Sequence, residues 1–174
     1  NKFISKQKVA VKVIKANMAN SFTRQLLKDE AEKLAELNHP NIVAFHNYHI
    51  DEEGNIYLIM EYADGKDLDT YIRNVSGLIV ENRICPLFEP ILDGVGYAHK
   101  HGILHRDIKT SNIYYSERAG YKLGDFGISR TMDSIHERMS MTSAGTIQYM
   151  APEIYLGKRY NHTADIYSLG MVLY

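Results

Sequence analysis

The sequence predicts an α+β fold of two unequal lobes: a small β-rich lobe with one helix, then a larger, mainly helical one. Three observations lead there. Short β-branched runs surround one amphipathic helix in the first part of the chain. The polar stretch Ala63-Asp64-Gly65-Lys66 then interrupts the pattern, and beyond it the apolar spacing turns helical. The expected division is residues 1–62 and 63–174.

Val9-Ala10-Val11-Lys12-Val13-Ile14 reads as a strand whose only charge is Lys12. From Ser21 to Leu37 the spacing is helical, and Leu26, Leu34 and Leu37 form one stripe with Glu30 inside it. A carboxylate on an apolar stripe needs a partner. Asp29, Glu32, Lys33 and Glu36 read as the solvated face. Asn38-His39-Pro40-Asn41 ends the helix, and strands follow over Ile42–Tyr48 and Ile56–Tyr62, joined by the turn Asp51-Glu52-Glu53-Gly54-Asn55. A second helix is expected over Val80–Lys100, with Ile84, Phe88, Ile91, Val95 and Ala98 inward and a bend at Pro90. Short strands and loops run from His101 to Glu153, and a further apolar helix opens at Ala164.

The 174 residues suffice for one domain with a substantial core. Lys and Arg number 20 against 21 Asp and Glu, so charge gives no reason to expect nucleic acid or an anionic membrane as partner. The single cysteine, Cys85, fits a reducing compartment. No apolar run is long enough to span a bilayer and no signal peptide opens the chain, so the expected location is cytoplasmic, without membrane contact in this segment. A first residue of Asn1 suggests a piece of a longer protein, which itself has room for a membrane anchor elsewhere.

The chemistry is concentrated in His105-Arg106-Asp107-Ile108-Lys109-Thr110-Ser111-Asn112, followed by Asp125-Phe126-Gly127. Phosphoryl transfer from ATP requires a group that positions the acceptor hydroxyl, cations against developing charge, and oxygen ligands for Mg2+. Asp107 suits the first task, Lys109 the second, and Asn112 with Asp125 the third.

Val9-Ala10-Val11-Lys12, Glu30, the run from His105 to Asn112, Asp125-Phe126-Gly127 and Ala151-Pro152-Glu153 occur in one order at sensible separations. Together they resemble the eukaryotic-like, Hanks-type serine/threonine protein kinase family over nearly the whole chain. The segments Pro90 to His99 and Ala164 to Gly170 look more like its bacterial members than its animal ones. The resemblance implies the bilobal protein-kinase fold, incomplete on both flanks. No glycine precedes Lys12, so the glycine-rich loop falls outside, as do the later helices and an arginine partner for Glu153. On that ground the isolated segment is expected to fold poorly and to be weakly active or inactive.

The same resemblance assigns roles. Lys12 contacts the α- and β-phosphates and pairs with Glu30; Asp107 is catalytic base and hydroxyl orienter; Lys109 faces the transferring phosphate; Asn112 and Asp125 bind Mg2+. Ala10 roofs the adenine, Met60 is the gatekeeper, Glu61 and Ala63 offer hinge backbone, Asp67 binds ribose, and Tyr114 takes the floor position, usually aliphatic. His105 packs on Phe126 in a column with Leu34 and Phe45, a reading favoured over a metal site with His99 and His101. Asp165 resembles the buried acid that anchors the catalytic loop from below.

Lys109 and Thr146 are the serine/threonine version of their motifs, and Thr146 shapes the substrate site. Residues 125–153 resemble an activation loop in which Thr142, backed by Ser140 and Ser143, is the best-placed phosphosite, with Arg106 as the receiving cation. The implied partners are a protein substrate with a serine or threonine acceptor, and an activating kinase or a second copy acting in trans. An inactive pseudokinase or truncated interaction module is the alternative, opposed by the intact Lys12, Asp107, Asn112 and Asp125. A small-molecule kinase is disfavoured by Thr146 and Ala151-Pro152-Glu153.

Overall fold

The computed structural model describes residues 8–16, 21–74, 81–116, 120–126 and 147–174. Its smaller lobe is an antiparallel sheet of β1 (Val9–Ile14), β2 (Phe45–Ile50) and β3 (Ile56–Glu61), in the order β1-β3-β2, with helix α1 (Ser21–Ala35) packed on β2. Strand alternation sorts β1: Val9, Val11 and Val13 are exposed, while Ala10, Lys12 and Ile14 turn inward. In register, Ala10 lies opposite Met60 and Lys12 opposite Leu58.

Helix α1 buries Leu27, Ala31 and Leu34. Leu26 and Glu30 are half-buried, so the stripe expected through them is the flank of the inward face and not its centre. One residue turns a helix by about 100°, roughly the width of such a stripe, and spacing alone does not separate the two settings.

The strand expected from Ile42 begins at Phe45. The backbone before it is committed elsewhere: Val43 N–H donates to Leu123 O at 2.8 Å and Leu123 N–H to Asn41 O at 2.8 Å. This short parallel bridge ties the sheet lobe to the helical lobe. In the turn before β3, Gly54 adopts φ 84°, and Asn55 fixes it by donating its backbone and side-chain N–H groups to the two oxygens of Asp51, each at 2.8 Å.

The larger part holds α2 (Leu68–Asn74), α3 (Glu81–Lys100), a hairpin of β4 (Ile113–Ser116) and β5 (Gly120–Leu123), the short α4 (Pro152–Tyr155) and α5 (Thr163–Leu173). Asp67 caps α2, accepting from Thr70 N–H at 2.8 Å and Thr70 Oγ1 at 2.9 Å. Helix α3 buries Leu87, Phe88, Ile91, Val95 and Ala98 against the hairpin, with Pro86 and Pro90 inside it. Burying side chains such as Ile91 and Leu123 contributes about 1.5–3 kcal/mol each. These residues join Leu27, Leu34, Leu58 and Phe126 in one apolar cluster that runs through both lobes beneath the site.

Candidate active site

The loop between α3 and β4 is held from below by Asp165 of α5, which is 1% exposed. Its carboxylate accepts His105 N–H and Arg106 N–H, each at 2.8 Å, and His99 Nε2 lies 2.8 Å from it. Arg106 has φ 67°, a left-handed conformation that costs an L-residue about 1–2 kcal/mol. Hydrogen bonds to a charged acceptor contribute about 1.5–3 kcal/mol each, enough to hold it there.

The His105 ring packs on Phe126 with centroids 4.5 Å apart. Its Nε2 is 2.9 Å from Gly124 O, which can only accept, while its Nδ1 accepts Asp107 N–H at 3.2 Å. The proton therefore sits on Nε2. Burial pushes the ring below its ordinary pKa and outweighs the nearby Asp165 charge, so His105 is neutral. The ring thus packs as expected on Phe126; among the described residues no three His, Cys, Asp or Glu side chains form a group that could hold a metal ion.

Beyond this turn the residues expected to carry the reaction converge. Lys109 Nζ lies 2.9 Å from Asp107 Oδ2, and Asn112 Nδ2 donates to the same oxygen at 3.1 Å and to Asp107 O at 2.8 Å. With its nitrogen so engaged, the Asn112 side chain has only its carbonyl oxygen left to offer, as an acceptor. Gly124 N–H donates to Asn112 O at 2.9 Å, which brings the segment carrying Asp125 alongside. Asp125 is itself left-handed, with φ 56°.

Above these groups a cleft of about 370 Å³ opens between β1, the end of β3 and the hairpin. Its walls include Ala10, Lys12, Met60, Glu61, Ala63, Tyr114 and Asp125, all expected nucleotide contacts. Met60, expected as the gatekeeper, lines both this cleft and a second cavity with Leu34, Phe45 and Phe126, as do Lys12, Val43 and Asp125. Burial, then the charges of Asp125 and Asp67, push the Tyr114 phenol up, and it stays protonated.

A family model of the protein kinase domain matches residues 2–174. This chain belongs to the protein kinase family. Serine/threonine-protein kinase Nek3 of Mus musculus is 40% identical over 171 residues, 98% of this chain and 32% of that protein. Serine/threonine-protein kinase PknB of Mycolicibacterium smegmatis is 37% identical over 172 residues, 95% of this chain and 27% of that protein. The crystal structure of the Mycobacterium tuberculosis PknI kinase domain matches with a TM-score of 0.73 at 26% identity, covering 94% of this chain and 60% of that one. The chain thus spans about a third or less of these curated relatives, which come from animals and bacteria alike. The expected Hanks-type serine/threonine kinase family and bilobal fold are the ones found.

In this kinase segment one expected pairing is replaced. Among the ion pairs of the described residues, Lys12 is not joined to Glu30: Lys12 Nζ lies 2.9 Å from Asp125 Oδ1, and Arg106 Nη1 lies 3.2 Å from Glu30 Oε1. The cause is the setting of α1, which carries Glu30 on the flank of its inward face, within reach of the Arg106 guanidinium. Arg106, expected to receive a loop phosphate, is already paired with an acid.

Asp67 does not line the cleft; both its oxygens are engaged by Thr70. Burial acts to raise its pKa, but the Thr70 hydrogen bonds outweigh it and hold the carboxyl below its ordinary value. Thr146, Thr142, Ser140 and Ser143 lie outside the described residues. Within the described residues, Tyr149 is anchored to the loop before β4: its hydroxyl is 3.0 Å from Thr110 Oγ1, and Ser168 Oγ donates to its carbonyl at 2.7 Å.

Sequence reasoning missed Lys122. Its Nζ lies 2.9 Å from each Glu61 oxygen, and Glu61 Oε2 also accepts Ala44 N–H at 3.1 Å. This pair, buried at Lys122 and half-buried at Glu61, braces the end of β3 against β5 at the cleft wall. A lone charge in the apolar strand Tyr121-Lys122-Leu123 was the available signal, the same one that marks Lys12 in β1.

Proposed function

We propose that the protein carrying this segment transfers the γ-phosphoryl group of ATP to serine and threonine hydroxyls of protein substrates. The observation that carries this reading is the meeting of Asp107, Lys109 and Asn112 beside the segment of Asp125, which itself lines a cleft of about 370 Å³. Asp107 orients the acceptor hydroxyl and takes its proton, while Lys109 and Lys12 offset phosphate charge. Asn112 and Asp125 suit Mg2+: both offer hard oxygen, and this ion takes one or two carboxylates with phosphate and water completing its shell. When bound, it neutralises charge on the phosphates. The retained Lys12, Asp107, Asn112 and Asp125 favour an active enzyme over a pseudokinase.

Activation-loop phosphorylation on Thr142, with Ser140 and Ser143 as secondary sites, is the control this reading assigns, by an activating kinase or a second copy in trans. The Glu30–Arg106 pair supports it. A phosphate offers Arg106 a stronger, bidentate partner and frees Glu30 for Lys12. The setting is the cytoplasm, where ATP is available and Cys85 stays reduced; no helix among the described residues is long and apolar enough to cross a membrane.

Phosphoamino-acid analysis of a protein substrate labelled by the full-length protein tests the reaction: phosphoserine and phosphothreonine are expected, and phosphotyrosine alone overturns it. Phosphopeptide mapping of the active enzyme tests the control. Thr142 is expected to be modified, and an active preparation unmodified there contradicts the regulatory part.

A further inference from the structure

The floor of the cleft is a tyrosine, and its ring rests on a glycine. A methyl group added at Gly124 meets Tyr114 Cε2 at 2.8 Å, Val43 Cγ2 at 2.9 Å and Tyr114 Cδ2 at 3.2 Å. Contacts under 3.0 Å are not tolerated, so something must move. Position 124 cannot retreat. Its N–H donates to Asn112 O at 2.9 Å and its carbonyl accepts from His105 Nε2 at 2.9 Å. The Tyr114 backbone is fixed as well, paired with Lys122 across the hairpin and bridged to Asp67. What remains free are the Val43 side chain and the phenol ring; Val43, Tyr114 and Gly124 all line the cleft, and the ring, which meets the methyl group at two of its atoms, turns into it. Gly124 is not among the glycines with positive φ, so the backbone accepts alanine there, and it is the Tyr114 ring together with the Val43 side chain that excludes it.

We propose that Tyr114 and Gly124 form a matched pair that sets the depth of the nucleotide cleft, so that nucleotide affinity depends most strongly on the absence of a side chain at position 124 while a full ring stands at 114. The inference rests on reading the cleft as the ATP site and goes beyond it by naming Gly124 as a specificity-determining position. It acts through the ring and is not itself a catalytic residue.

A double-mutant cycle on the full-length protein decides the point, using Gly124→Ala, Tyr114→Leu and the two combined. The readouts are Kd for Mg-ADP by calorimetry and KM for ATP. Gly124→Ala is expected to weaken nucleotide binding roughly tenfold, the usual scale of overpacking. Tyr114→Leu changes it less than about threefold, and in that background Gly124→Ala costs less than about threefold, the Val43 contact remaining, as expected for coupled neighbours. Equal losses from Gly124→Ala in both backgrounds overturn the pairing, as does no loss in the tyrosine background. If Gly124→Ala fails to fold, the same coupling is read as rescue of folding by Tyr114→Leu, and a double variant that also fails contradicts it. Wild-type protein that binds no nucleotide defeats the ATP-site reading instead.

Discussion

Replacing Lys122 by methionine keeps most of the side-chain volume and deletes the charge paired with Glu61. The Lys122 side chain is 9% exposed and its partner Glu61 27%. Removing one member of a fully buried ion pair costs about 3–5 kcal/mol, because the other charge is stranded. Glu61 is less isolated than that: water reaches it, and it keeps the Ala44 N–H bond at 3.1 Å. The expected loss is therefore about 2 kcal/mol by denaturant unfolding of the full-length protein. The companion Glu61→Gln/Lys122→Met double variant leaves no stranded charge and should recover at least half of it, since replacing both partners is often nearly neutral. KM for ATP should rise with the single change, because Glu61 forms part of the cleft wall. A loss below about 0.5 kcal/mol, the worth of an exposed pair, would refute the brace. So would a double variant as unstable as the sum of the two single ones.

Two further outcomes follow from the catalytic loop. The pKa of His105 lies below its ordinary 6.5 because the ring is buried, so the unfolded chain takes up a proton there before the folded one does. Its contribution is present above about pH 6.5 and is lost as pH falls, at up to about 1.4 kcal/mol per pH unit. Unfolding free energies at about pH 7.5, 6.5 and 5.5 should show this slope in wild type and less of it in His105→Phe; equal slopes contradict it. Asp165→Ala leaves the buried His105 and Arg106 N–H groups without their acceptor and releases the left-handed turn at Arg106. It should cost at least about 3 kcal/mol and slow transfer, checked by unfolding and kcat; a loss under about 1 kcal/mol contradicts the anchor.

The reacting groups were legible because Asp107, Lys109 and Asn112 share one loop, where chemistry dictates residue type at fixed separations. Lys12 announced itself as the only charge in a β-branched strand, and the apolar face of α3 followed from its spacing. Pairings across the fold were another matter. Whether Glu30 meets Lys12 or Arg106 depends on how α1 is rotated and docked, and a stripe about 100° wide does not fix that rotation. Ile42 has the composition of a strand, yet its backbone serves a bridge to Leu123, a partner distant in sequence. Asp67 fits a polar contact equally well as a helix cap, and the adjacent α2 decides for the cap. Lys122 and Gly124 gain their meaning only from Glu61 and Tyr114, which no local pattern connects to them.

The central claim is that the loop held by Asp165 presents Asp107 as the group that prepares a protein hydroxyl for phosphoryl transfer. Its most direct test is transfer of labelled phosphate from Mg-ATP to a general protein substrate by the full-length protein, side by side with Asp107→Asn. Calorimetric binding of Mg-ADP is measured on both, to show that the cleft survives the change. The substitution keeps the shape of the side chain and removes its ability to take a proton, so kcat should fall at least about 100-fold with nucleotide binding retained. Equal labelling by the two proteins would contradict the account.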